Sequence, residues 1–162
     1  MKYFIGARDI FFFVENPAVF YEKKIPADFP LEKWVDTLGH GLYGYYTATA
    51  PPRSLRIKCR NEYVRSATNL YRKMIAPIEK YIENGVVIVP DGALSYIPFE
   101  ALLRKKPDSL DRFDLYDYFG KNRVVSYCYS ATLLRELREK KHDPPPTDRK
   151  STRLNSSHTD IS

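Results

Sequence analysis

Few residues in this chain could act as nucleophile, base or metal ligand. Cysteine occurs at Cys59 and Cys128, and histidine at His40, His142 and His158. A cysteine nucleophile needs a base within hydrogen-bond reach to sustain its thiolate. Cys128 falls between two tyrosines in a run that alternates like a strand, where a thiol packs as a small apolar group. His40 lies between two glycines on a helical pattern and is expected to face solvent. His142 and His158 lie in the charged C-terminal stretch. No pair of these positions reads as a Cys–His dyad, and no CxxC or Cys/His spacing reads as a zinc site, so neither metal nor cofactor is expected. Ser95 lies in Gly92-Ala93-Leu94-Ser95-Tyr96, which is not the G-x-S-x-G elbow that exposes a serine nucleophile. Asp91 follows an aliphatic run, but no second carboxylate or Gly-rich phosphate loop accompanies it, so Asp91-Gly92 reads as turn chemistry.

The elements that would carry these residues follow from periodicity. Tyr3–Val14 reads as a strand, or two short ones meeting around Gly6–Asp9, and Ala18–Ile25 as its antiparallel return after the Asn16-Pro17 turn. From Leu31 the spacing becomes helical, with Leu31, Trp34, Val35, Leu38, Leu42, Tyr45 and Tyr46 on one face and Gly39, Gly41 and Gly44 weakening it. Pro51-Pro52 marks a loop. A second helix is expected from about Glu62 to Ile82, broken just before Pro77, which removes an amide donor. Val86-Val87-Ile88-Val89 reads as a strand buried on both faces, as in a parallel sheet covered by helices. Pro90-Asp91-Gly92 ends it, with Asp91 satisfying turn amides. Pro98 then opens a helix whose buried face is Phe99, Leu102 and Leu103, with Glu100 near its positive end. Arg123–Tyr129 alternates like another strand, and Ser130 is placed to cap a helix over Ala131–Lys141. The order predicts an α/β domain.

The formal charge of +6 is local. Arg53, Arg56, Lys58, Arg60, Arg65, Arg72, Lys73 and Lys80 face only Glu62 and Glu79 within residues 53–80, and the rest of the chain sums to zero. The simplest reading is a solvated helix face with its lead-in loop; the sharper one is a patch for an acidic protein partner. No RNP-like, helix-turn-helix or zinc-finger signal supports nucleic acid as the partner. The longest apolar run, Ile10–Val14, is too short to span a bilayer, and two cysteines do not make a disulfide scaffold, so a cytoplasmic, reduced protein is the expectation.

Three motifs, in order, resemble the CHAT domain (caspase HetF associated with tetratricopeptide repeats). They are Leu70-Tyr71 through Met74-Ile75-Ala76-Pro77-Ile78; Ile88-Val89-Pro90-Asp91-Gly92-Ala93-Leu94-Ser95-Tyr96-Ile97-Pro98-Phe99-Glu100-Ala101-Leu102; and Tyr127-Cys128-Tyr129-Ser130-Ala131-Thr132-Leu133-Leu134. The resemblance covers residues 1 to about 140. It implies a caspase-like sheet flanked by helices, in bacterial proteins that place the domain after tetratricopeptide repeats and work through protein partners. In active relatives the catalytic His and Cys lie downstream of the third motif, so none of this chain's cysteines or histidines matches them. Residues 1–147 are therefore expected to be the N-terminal portion of the domain. Residues 148–162, from Lys150-Ser151-Thr152 onward without hydrophobic period, are expected to be a non-native disordered tail. Pro90, Asp91, Gly92, Leu94, Tyr96, Pro98, Phe99, Glu100, Ser130 and Leu133 then read as fold-specifying, with no catalytic, cofactor or metal residue among them. The function implied is part of a cysteine endopeptidase-like protein; the alternative is a non-catalytic interaction module using residues 53–80.

Overall fold

The structure is a computed structural model that describes residues 1–47 and 49–139. It opens with an antiparallel meander of β1 (Lys2–Ile5), β2 (Asp9–Glu15) and β3 (Phe20–Pro26), in the order β1-β2-β3. Both turns are made by local polar groups. Gly6 N–H donates to Asp9 O at 2.9 Å, and Asn16 Oδ1 accepts from Ala18 and Val19 N–H at 3.0 and 2.8 Å. Along β2 the alternation sends Ile10, Phe12 and Val14 into the core, while Phe11 and Phe13 take the opposite, partly exposed face.

A parallel pair, β4 (Gly85–Ile88) and β5 (Val124–Tyr127), aligns Val86 with Val125 and Ile88 with Tyr127. A parallel bridge between Lys2 and Val89 joins β1 to the end of β4, with Tyr3 N–H donating to Val89 O at 3.0 Å and Val89 N–H to Met1 O at 2.8 Å. The strands thus run β3-β2-β1-β4-β5 across one surface. Parallel neighbours need long crossovers, and the β1-to-β4 connection contains the meander and both long helices.

Those helices are α1 (Leu31–Tyr43) and α2 (Arg53–Met74). α1 runs through Gly39 and Gly41 and gives way at Gly44 to a short 3-10 segment. Gly41 is needed for close approach: a Cβ there would sit 2.5 Å from Tyr63 N and 2.7 Å from Tyr63 Cα, both backbone atoms of α2. α2 begins nine residues before the expected Glu62. What was expected to be a lead-in loop is helix from Arg53, because Pro52 fixes the entry and the following arginines, lysine and leucine are good helix formers. It ends at Met74 instead of reaching Ile82. Pro77 cannot donate, and Ile75 and Ala76 N–H both close onto Tyr71 O at 2.9 Å.

The Pro98 helix does not form. Only 3-10 segments occur, at Gly92–Tyr96 and Phe99–Ala101, after which Leu102 turns extended. The carbonyl of Leu102 is taken by Phe119 N–H at 2.8 Å, and Leu103 bridges Tyr118, so the backbone satisfies itself at long range. α3 (Ala131–Glu139) follows Ser130, whose Oγ accepts from Leu133 N–H at 3.4 Å, a long cap. The remainder of the expected helix, to Lys141, lies outside the described residues, as do His142, His158 and the 148–162 stretch.

The core gathers under the sheet. Tyr3, Phe12 and Phe99 are fully buried; Tyr3 stacks on Phe99 with ring centroids 5.5 Å apart and meets Phe12 edge-on at 5.3 Å. Tyr3 Oη donates to Met74 O at 2.9 Å, tying β1 to the end of α2, and burial drives its phenol well above the ordinary value.

Candidate functional site

The motif residues divide into buried and exposed positions. Phe99, Leu94 and Leu102 are fully buried, whereas Ser95, Tyr96, Glu100 and Leu133 are exposed. Gly92 takes a left-handed conformation with φ of 51°, which is why glycine occupies the turn. Asp91 departs from expectation. Its side-chain Oδ2 accepts from Ile5 N–H at 2.7 Å and ties the end of β1 to β4, while only its backbone carbonyl serves the turn, accepting from Leu94 N–H at 3.1 Å. Tyr127 Oη accepts from Phe99 N–H at 2.8 Å and donates to the Glu100 carboxylate. Burial and the Glu100 contact together push the Tyr127 phenol upward.

A second polar assembly holds the irregular segments. Glu79 accepts from Tyr71 Oη, from Arg104 Nε at 2.9 Å and from Arg123 Nη1 at 2.8 Å. Arg104 also donates to Asp117 Oδ1 at 3.1 Å, Tyr118 O at 2.7 Å and Phe119 O at 3.1 Å. Burial alone would raise the Glu79 carboxyl, but the Tyr71, Arg104 and Arg123 donors hold it below its ordinary value. Tyr71 is pushed up to about 12 by burial and by the Glu79 hydrogen bond and charge.

The strand and turn sequence Ile88–Leu102, the α2 end and the Tyr127–Leu134 segment are the parts that carry a family pattern. The model of the CHAT domain matches residues 64–160, more than half of the chain. The chain belongs to the CHAT domain family. No curated protein and no solved structure matches it. The CHAT match begins at Val64, inside α2, and so includes the C-terminal part of that helix, β4, β5 and α3. It also runs on through most of the stretch set apart by sequence as a tail.

The other concentration of chemistry starts ahead of the CHAT match and runs into it. The cations of residues 53–73 share a helix, but several are paired within the chain. Lys58 lies 4.0 Å from Glu62, and Lys73 lies 3.6 Å from Asp28 and over the Phe29 ring at 4.9 Å. Arg60 pairs with Asp111 and covers Phe113 at 5.1 Å, and Arg72 bonds Asn69 at 3.0 Å. Arg53, Arg56 and Arg65 are exposed.

The same helix brings His40, Cys59 and Glu62 together, with one ligand-type atom of each within 4.8 Å of the others. His40 Nδ1 and Glu62 Oε2 are 2.5 Å apart. Cys59, at 1% exposure, also lines a cavity of about 390 Å³ between α1, α2 and the 101–118 segment, with Arg56, Arg60, Tyr45, Tyr63 and Phe113. His40 and Cys59 lie 19 positions apart, so only the Cys59-x-x-Glu62 spacing on one helix face hinted at the grouping. Cys128 is also buried and donates to Ser130 O at 3.2 Å. Among the described residues, no helix is long and apolar enough to cross a membrane.

Proposed function

We propose that residues 1–147 supply the N-terminal scaffold of a caspase-like CHAT domain, in a protein that acts as a cysteine endopeptidase or as a non-catalytic relative working through protein contacts. The observation that carries this is the parallel β4–β5 pair inside the segment the CHAT model matches, tied to β1 by the Lys2–Val89 bridge and by Asp91. β5 pairs with β4 on one side and has no ladder on the other among the described residues, which suits the addition of further strands. The scaffold itself carries no dyad: Cys59 and Cys128 are buried, and His142 and His158 match no catalytic position. Tetratricopeptide repeats upstream and a cytoplasmic setting belong to the same reading. The test is the purified chain against a diverse peptide library. No cleavage is expected; cleavage lost on Cys128→Ala or Cys59→Ala would overturn the proposal.

A second reading, a non-catalytic interaction module, rests on the exposed Arg53, Arg56 and Arg65 along α2. An acidic protein partner would bind there in a salt-sensitive manner. Charge reversal at Arg65 and Arg72 that abolishes such a complex favours this reading. Nucleic acid would instead produce band shifts with steep salt dependence.

A further inference from the structure

The α1–α2 seam carries chemistry that the CHAT reading leaves unused. Cys59 and Glu62 stand three residues apart on one face of α2, and His40 meets them from the last turn of α1. Two glycines hold it there. Gly41 lets the helix backbones touch at Tyr63, and a Cβ at Gly44 would lie 2.8 Å from His40 Cδ2 and 2.9 Å from Nε2. The imidazole therefore rests on bare backbone, with its Nδ1 edge directed at Glu62.

We propose that His40, Cys59 and Glu62 form a binding site for a borderline divalent transition-metal ion, with Zn²⁺ as the ion of choice. One imidazole nitrogen, one thiolate and one carboxylate make a mixed donor set of the kind zinc accepts, leaving a fourth position for water. Zinc bonds of about 2.0–2.3 Å put tetrahedral ligands about 3.3–3.8 Å apart. The three donor atoms already lie within 4.8 Å, so rotations of the Glu62 and Cys59 side chains close the site. The ion replaces the 2.5 Å His40–Glu62 hydrogen bond, which holds both groups oriented in its absence. Lys58 engages the other Glu62 oxygen, at 4.0 Å, and leaves Oε2 for the metal. Access is from the histidine side, where the His40 side chain is 47% exposed against 21% for Glu62. The thiolate and carboxylate balance the ion's two charges, which matters on a helix otherwise rich in cations. All three ligands precede the segment the CHAT model matches, so the site can fail its test without touching the scaffold reading.

Titration of the full-length chain with Co²⁺, under a non-thiol reductant, tests the site. One equivalent is expected to bind with a thiolate-to-cobalt charge-transfer band in the near ultraviolet, which Zn²⁺ then displaces. Zn²⁺ alone is expected to raise the melting temperature in a concentration-dependent way. Cys59→Ser should abolish the band, and His40→Ala or Glu62→Gln should weaken binding by ~10-fold or more, by analogy with supporting groups at metal sites. Cys128→Ser should leave the band intact. The proposal is overturned by absence of the band, by its survival in Cys59→Ser, or by its loss in Cys128→Ser. Glu62→Gln keeps the shape of a partly exposed side chain, so unchanged affinity in that variant overturns the proposal even if the cysteine variant fails to fold.

Discussion

The two halves of α2 do different work on one continuous helix. From Tyr63 to Met74, Tyr63, Val64, Ser66, Ala67, Leu70, Tyr71 and Met74 are buried. From Arg53 to Glu62 only Cys59 is buried, and the surface is arginine, lysine and the His40–Glu62 contact. The family match begins at Val64, where the apolar half is under way. The buried half is constrained by everything it touches, including the Tyr3 hydroxyl on Met74 O. The other half touches mainly α1 and solvent, and is free to carry polar groups that the fold does not need.

If that contrast is right, the largest effect of any single truncation belongs on the sheet side. Phe99 is fully buried between the rings of Tyr3 and Tyr127, and Phe99→Ala is expected to cost about 3–5 kcal/mol in denaturant unfolding. A loss below about 1 kcal/mol would show that the motif is not a core plug, because surface changes lie in that range.

Next in size is the Glu79 assembly, which ties the buried end of α2 to the segments without regular structure. Glu79→Gln keeps the shape but leaves Arg104 and Arg123 without their shared carboxylate. Its partial exposure tempers the cost to about 2–3 kcal/mol, below that of a fully buried pair. The pH dependence has a definite sign. The Glu79 carboxyl is held below its unfolded value, so its stabilisation is present above the unfolded pKa and is lost as pH falls through the folded one. Acid unfolding of the wild type should therefore be steeper than that of Glu79→Gln. Identical acid midpoints and slopes would show that the carboxylate contributes nothing.

What could be read in advance follows the range of the interactions. The apolar, aromatic run Ile10–Val14 and the aliphatic run Val86–Val89 located the sheet strands, because burial acts on each residue directly. The start of α2 was missed because only Leu55 and Cys59, four residues apart, carry the Tyr63 stripe back among arginines and lysine; the helix-forming composition was the other available signal. The Pro98 helix failed for a reason no local window contains, the capture of Leu102 O by Phe119 N–H. Asp91 likewise looked like a turn residue, yet its acceptor serves Ile5, 86 positions away. The His40–Cys59–Glu62 group is the same case in the site: one turn of one helix and the end of another, joined by a glycine contact.

That contact gives the finest test of the border between the two regions, through one substitution made twice on α1. At Gly41 an added methyl meets the backbone of Tyr63 at 2.5 Å, and backbone cannot rotate aside. Gly41→Ala must push the helices apart and is expected to destabilise by about 1–3 kcal/mol, with loss of the His40–Glu62 contact. At Gly39 an added methyl has nothing within 4 Å. Gly39→Ala removes only the helix penalty of glycine and the extra freedom of the unfolded chain, and should stabilise by about 0.4–1 kcal/mol. Thermal unfolding of the two variants should therefore move in opposite directions. Equal shifts of the same sign would mean that the α1–α2 seam is not closed at Gly41, and the polar half of α2 would then lack the support that sets His40 against Cys59 and Glu62.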